Sequence, residues 1–322
     1  MRWAFFLGIL LAFALAQGER EAYLMRFDWA WRLVKDVYYE PTIHGVDWDA
    51  LGARYRARVA KARSWVEVYE AIAEMYRAIG DDHTRFIPPW RARGLLGNGA
   101  CYPLPYPEAW NAPVPEVRPP EGEEEVDEGV FGGAEARVED GVLYLRLPDL
   151  VAEENYAVLE QAIAEHGDEV VGYVLDLRGN PGGVVFEMAR VAGLFVRGWL
   201  WRLVLRGAGA VPEPTLPFWG RPPAEKPLAV LIDGEVHSAA EGLAGGLKTS
   251  GRAVLFGERT AGNTEALVPY CFPEGAVALV AAGVLAPIRG PTWEGRGVLP
   301  DYPTDPDEAL SEAIRYLKDA RR

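Results

Sequence analysis

Lysine occurs only at positions 35, 61, 226, 248 and 318, and cysteine only at 101 and 271, in a chain of 322 residues with 4 histidines. So few cysteines exclude a disulfide-dense scaffold. His44, His83, His166 and His237 have no companions at metal-ligand spacing, so neither a metal nor a cofactor is expected. Positive charge is outnumbered, 33 basic residues against 47 acidic, for a formal net charge of −14. That balance opposes nucleic acid phosphates and anionic lipid as partners. No apolar run beyond the N-terminus approaches the roughly 20 residues that span a bilayer. Cys101 and Cys271 allow at most one internal bridge, and the sequence leaves open whether they pair or stay separate thiols.

What remains is the composition of a globular protein, 49% hydrophobic and 25% charged, long enough to bury one large core or two modest ones. Residues 1–16 read as a signal peptide. Met1-Arg2 is a short positive start, Trp3 to Leu15 is apolar apart from Gly8, and Ala14-Leu15-Ala16 is a small-x-small cleavage site. Cleavage after Ala16 predicts an exported, periplasmic or extracellular protein; an uncleaved segment would leave it membrane-anchored.

Residues 17–87 read as an N-terminal helical subdomain, with apolar residues at helical spacing (Phe27, Trp31, Val34, Tyr38; Leu51, Tyr55, Val59; Val68, Ile72, Met75, Ile79). Asp47 and the Ser64-Trp65-Val66-Glu67 capping box open its second and third helices, and Gly80 stops the third. Residues 88–137, rich in proline and acidic from Glu121 to Glu128, read as a connection, either a solvated loop or a lid. Residues 138–322 alternate strand and helix, the order of an α/β core. Expected strands are 142–147, 170–177, 200–205, 228–232, 253–256 and 276–281. Expected helices are 153–166, 184–195, 238–249 and 306–320.

Four places put reactive groups or bare backbone where an element ends, the usual seat of α/β active sites. Asp81-Asp82-His83-Thr84 offers an imidazole able to act as general base. Asp176-Leu177-Arg178-Gly179-Asn180-Pro181-Gly182-Gly183 offers backbone amides for an oxyanion, and lacks the pattern of a P-loop or a dinucleotide fingerprint. His237-Ser238-Ala239-Ala240-Glu241 places a serine at a helix start. Trp293-Glu294-Gly295-Arg296-Gly297 sets a carboxylate among glycines. Each alone also fits an ordinary structural role, such as a turn or an N-cap.

In this order, together with Val142-Leu143-Tyr144-Leu145-Arg146, Gly251 to Glu258 and Gly297-Val298-Leu299-Pro300-Asp301, these motifs resemble the C-terminal processing (tail-specific) serine peptidases and the related tricorn core proteases. The resemblance implies a crotonase-like (ββα) α/β catalytic core preceded by a helical subdomain. It also implies hydrolysis of peptides or unfolded proteins through an acyl-enzyme. Ser238 would be the nucleophile and Gly183 and Ala239 the oxyanion-hole amides, with Gly182 beside them.

The chain departs from the tail-specific pattern in two respects. Asn263 stands where that branch carries a lysine base, and the stretch between His83 and Val138 is too short for a PDZ domain. The tricorn-like branch fits better, with His83 as general base, Asp82 before it, Glu294 as distal member of the relay and His237 as the second candidate base. Two other readings remain. One is a non-catalytic ligand-binding module on the same fold, similar to the retinoid-binding proteins. The other is a crotonase-type acyl-CoA enzyme, which export opposes, so no CoA is expected.

Overall fold

A computed structural model describes residues 2–81, 83–92, 101–115, 117–118, 120, 132–217, 219–220 and 222–319, with side chains from Gln17 onward. The chain forms two compact units, residues 1–128 with 267–282 and residues 129–266 with 283–322. In chain order the elements are α1 (Arg2–Val37), α2 (Trp48–Val59), α3 (Trp65–Arg77), β1 (Arg85–Ile87), α4 (Pro89–Ala92), β2 (Tyr102–Pro103) and α5 (Pro107–Trp110). There follow β3 (Glu135–Glu139), β4 (Val142–Arg146), α6 (Glu153–His166), β5 (Tyr173–Asp176), α7 (Val185–Gly193), β6 (Trp199–Leu205) and β7 (Gly209–Pro214). The chain continues with β8 (Leu228–Ile232), α8 (Ser238–Thr249), β9 (Ala253–Gly257), β10 (Glu265–Cys271), β11 (Val277–Pro287), β12 (Tyr302–Pro303) and α9 (Ala309–Asp319).

The first unit is built on α1, α2 and α3. Asp47 caps α2 by accepting from the Ala50 amide at 2.9 Å, and Ser64 caps α3 by accepting from Glu67 N at 3.3 Å. Each such cap is worth about 1 kcal/mol. The apolar faces meet in a core containing Phe27, Leu33, Val34, Tyr69, Ile72, Met75 and Tyr76. Tyr38 is buried as expected, but Trp31 lies at the margin and Trp29 takes the interior place. The expected cleavage point after Ala16 falls inside α1. Among the described residues no helix is long and apolar enough to cross a membrane.

Within 88–137 the described residues hold α4, β2, α5 and β3, and Leu104, Tyr106 and Ala109 enter the first core. The acidic run from Glu121 to Glu128 lies outside the described residues. Two links fasten this unit. Arg26, fully buried, pairs with Glu274 at 3.0 Å, and Tyr69 donates to the same carboxylate. Cys101 and Cys271 form a disulfide with Cα atoms 5.6 Å apart, which settles the pairing the sequence left open.

The second unit is an α/β sandwich. Its main sheet runs β12-β9-β8-β5-β4-β3, parallel except for the β3–β4 hairpin. β8 is buried along its whole length, which is why it reads as an unbroken apolar run. α9 covers one face through Ala309, Ala313, Ile314 and Leu317. On the other face α8 is itself enclosed: the Trp201 ring donates to Gly242 O at 2.7 Å, and a Cβ on Gly246 would come within 2.3 Å of that ring.

The expected helices and strands of this unit are found with ends shifted by a few residues, while β11 runs on to Pro287 where the pattern suggested an end near Ala281. β3, β7, β10 and β12 have no counterpart among the expected strands. β7 carries Pro212 and Pro214 as the outer partner of β6, a position where a missing amide is tolerated.

Because the disulfide closes a 170-residue span, intact mass should rise by two hydrogens on reduction. Cys101→Ser with Cys271→Ser should cost about 2–4 kcal/mol in denaturant unfolding; an unchanged mass on reduction would refute the bridge.

Candidate active site

Parallel strands deliver their connections to one edge of the sheet, and in the second unit three connections and one loop converge there. After β5, Asp176 is held by Arg178, Nη2 lying 2.5 Å from Oδ2, and by the Tyr144 hydroxyl at 2.7 Å. Burial disfavours the Asp176 charge, but the Arg178 and Tyr144 bonds outweigh it and keep the carboxyl below its ordinary range. These two residues are strand-end architecture. Asn180, fully buried, donates to Leu147 O at 2.8 Å and accepts the Gly182 amide at 2.8 Å, shaping the glycine turn.

Gly182 (φ +95°) and Gly183 (φ +141°) occupy backbone that side chains avoid. A Cβ on Gly182 would sit 2.8 Å from the Ser238 Cβ, and one on Gly183 would sit 2.4 Å from the Leu150 carbonyl carbon. The turn is therefore pressed against Ser238 and Ala239, the first residues of α8.

Ser238 has φ +52°, left-handed backbone at a non-glycine position, where strain is retained only if the surroundings impose it. The imposing contacts are visible. Its amide donates to Asn263 O at 3.2 Å and to Glu241 Oε2 at 3.1 Å. The N-cap is His237, and the Ser238 hydroxyl takes no capping role. Among the described residues of this unit, the Gly183 and Ala239 amides have no hydrogen-bond partner. A hydroxyl at a helix N-terminus beside two open amides is suited to attack on a carbonyl whose oxygen becomes negative.

Glu241, expected as a capping partner, does more than cap. Its buried carboxyl also accepts from Thr260 Oγ1 at 2.5 Å, Gly262 N at 2.7 Å and Asn263 N at 2.9 Å, gathering the segment after β9 around α8. Asn263, conspicuous in the sequence as a missing lysine, accepts from His237 Nδ1 at 3.0 Å and seats Ser238 through its carbonyl. Lys248 is at the far end of α8, paired with Asp301 at 2.9 Å.

Glu294 reaches the same edge in the loop 292–298. Its Oε2 accepts from Thr264 N at 2.6 Å and Thr264 Oγ1 at 3.1 Å. Burial and the neighbouring Glu265 carboxylate push its pKa up to about 7. Glu265 carried no signal in the sequence, being one polar residue at the start of an unrecognised strand.

The second unit thus brings together Ser238, Gly182, Gly183, Ala239, His237 and Glu294. His83 belongs to the first unit. Its amide donates to Asp81 Oδ1 at 3.0 Å, Tyr38 donates to Asp81 Oδ2 at 2.7 Å, and Thr84 Oγ1 accepts from Ala281 N at 3.1 Å. Asp82 lies outside the described residues.

Residues 141–304, just over half of the chain, match the family model Peptidase family S41. The chain belongs to peptidase family S41. Residues 20–77 match the tricorn protease C1 domain. A carboxyl-terminal-processing protease of Picosynechococcus sp. is 25% identical over 88% of this chain and 84% of its own length. A carboxy-terminal-processing protease of Bartonella bacilliformis is 32% identical, but over 51% of this chain and 39% of its own.

Among solved structures, a photosystem II D1 C-terminal processing protease superposes with TM-score 0.67 and 22% identity, covering 92% of this chain and 97% of that one. The tricorn protease gives TM-score 0.55 and 14% identity over 94% of this chain and 37% of its own. These two likenesses concern the fold, a helical N-terminal part with an α/β core. This S41 protein is a serine-type peptidase acting on peptide or protein substrates, and not a binding module.

Gly182→Ala should lower kcat by about a hundredfold, the size of effect seen when one oxyanion donor is misplaced. Because Gly182 sits at φ +95° with Ser238 Cβ and His237 O against it, the melting temperature should fall as well, and unchanged kcat would refute the assigned packing. A second expectation concerns stability. Glu294 binds its proton more tightly folded than unfolded, so its contribution falls as pH rises from its ordinary 4.5 to about 7. Melting of Ser238→Ala should drop more between pH 5 and 8 than that of Ser238→Ala with Glu294→Gln; equal drops would remove the effect.

Proposed function

We propose that this chain is an exported serine peptidase that hydrolyses peptides or unfolded proteins through an acyl-enzyme, with Ser238 as nucleophile and His83 as general base. The observation that carries this reading is Ser238 itself: strained backbone at a half-buried helix start, a hydroxyl not spent on capping, and two open amides beside it. Such strain persists at a site that needs one hydroxyl in one place.

His83 takes the Ser238 proton as Oγ attacks the scissile carbonyl. The Gly183 and Ala239 amides receive the oxyanion, and Glu294 stabilises the imidazolium. His83 then gives its proton to the leaving amine, and a water deprotonated by the same ring releases the acyl group. His83 fits the role better than His237, which directly precedes Ser238 in the chain, a position from which a ring rarely points back to the neighbouring hydroxyl.

Two features support export. Met1 to Ala16 has the signal-peptide pattern. The Cys101–Cys271 disulfide belongs in an oxidising compartment such as the periplasm or the exterior. The removed segment would be residues 1–16, the helical subdomain 17–87, the connection 88–137 and the peptidase core 138–322.

Hydrolysis of a peptide library, read by mass spectrometry, tests the assignment. Ser238→Ala and His83→Ala should each lose at least about a thousandfold in kcat/KM. Activity retained by His83→Ala and lost in His237→Ala would transfer the base to His237.

A further inference from the structure

β1 is paired on one side only. It runs antiparallel to β11, with Phe86 opposite Ala278, and no other described strand pairs with it. A strand with an unpaired edge keeps a row of amides and carbonyls to which a second extended chain can add. Phe86 turns into the interior, where its ring stacks on Tyr69 of α3 with centroids 5.8 Å apart. Packing of that kind holds the strand in place while its edge stays open.

Every residue of β1 lines a cavity of about 880 Å³, which α3 bounds through Ala73 and Arg77. No residue of β11 lines it, so the cavity lies on the side of β1 away from its partner. Asp81 and Thr84, which flank His83 in the chain, line it too. The groove therefore runs up to the segment that carries the imidazole assigned as base.

Its acidic groups are answered or distant. Glu74 is bound by both terminal nitrogens of Arg58, and Asp81 accepts from the Tyr38 hydroxyl and from the His83 and Thr84 amides. Glu70 lies seven residues before Arg77, about 10 Å away along α3. Arg77 and Arg85 are exposed and make no hydrogen bond or ion pair among the described residues. Arg77 acts on Glu74 through its charge alone. Arg91 adds a third cation to the lining. In a chain of formal net charge −14, this groove has positive charge to spare.

We infer that the groove seats an extended, acidic segment of the peptide substrate as a strand added to the free edge of β1, with Arg77 and Arg85 meeting its carboxylates. The inference deepens the peptidase reading proposed above and rests on it. Backbone pairing holds a segment whatever its sequence, and the arginines add the preference for glutamate and aspartate. Ion pairs at exposed positions are worth up to about fivefold each, so the preference is graded.

The experiment starts from cleavage of a randomised peptide library by the wild type, read by mass spectrometry. Glutamate and aspartate should be enriched at one or more fixed distances from the cut bond; a library cut without acidic enrichment would overturn the inference. A well-cleaved peptide is then made with glutamate, glutamine or lysine at the enriched position. The ratio of kcat/KM for the glutamate over the glutamine peptide should fall about tenfold in the double variant Arg77→Glu with Arg85→Glu, and the lysine peptide should gain. An unchanged ratio in a double variant that melts like the wild type would overturn the role of the arginines.

The added strand is tested by binding of the glutamate peptide to Ser238→Ala protein, followed by fluorescence anisotropy. N-methylation of successive peptide amides should weaken binding at alternate positions, because only every second amide faces the neighbouring strand; loss without alternation would overturn strand addition. A ratio that falls in the double variant while His83→Ala stays fully active would uphold the groove and remove the catalytic assignment. Inactive His83→Ala with an unchanged ratio would do the reverse.

Discussion

The buried carboxyl of Glu241 is the interaction on which the second unit's site depends. A carboxyl taken out of water is costly unless its oxygens find donors, and Glu241 finds four: Ser238 N, Thr260 Oγ1, Gly262 N and Asn263 N. Those donors come from α8 and from the segment after β9, so satisfying one group fixes two connections against each other. Asn263 is thereby placed to receive the Ser238 amide, and the serine is held in the left-handed region.

Around that anchor the fold supplies shape. Asn180 closes the turn after β5, and its carbonyl takes the His237 amide at 3.0 Å, linking the glycine turn to the start of α8. The absence of Cβ atoms at Gly182 and Gly183 lets this backbone approach Ser238 and Leu150. Glycine at Gly246 lets α8 sink under Trp201, so the helix carrying the nucleophile is fixed on more than one side. A preorganised site of this kind has little to rearrange as charge develops.

The elements readable in the sequence are those whose local and tertiary preferences agree. The caps at Asp47 and Ser64, the helices 153–166 and 238–249, and the apolar run of β8 are found where their patterns put them. β7 and β10 escaped because Pro212, Pro214 and Pro269 argue against strands, and only pairing with a neighbouring strand outweighs that preference. Trp31 and Trp29 exchanged places because a helical stripe a few residues wide does not say which aromatic sits at its centre.

Sequence by itself determined the order of the motifs, and that order carries the family: the glycine turn, the serine at a helix start and the isolated Glu294 are each weak signs, but consecutive along one chain they are specific. Tertiary structure alone decided which groups meet. Cys101 and Cys271 are 170 residues apart, Glu265 and Glu294 come from a strand and a distant loop, and Asn263 changes from a missing base into the seat of Ser238. Periodicity and capping are local in the chain, so a sequence displays them. Burial and desolvation depend on neighbours that only the folded chain provides.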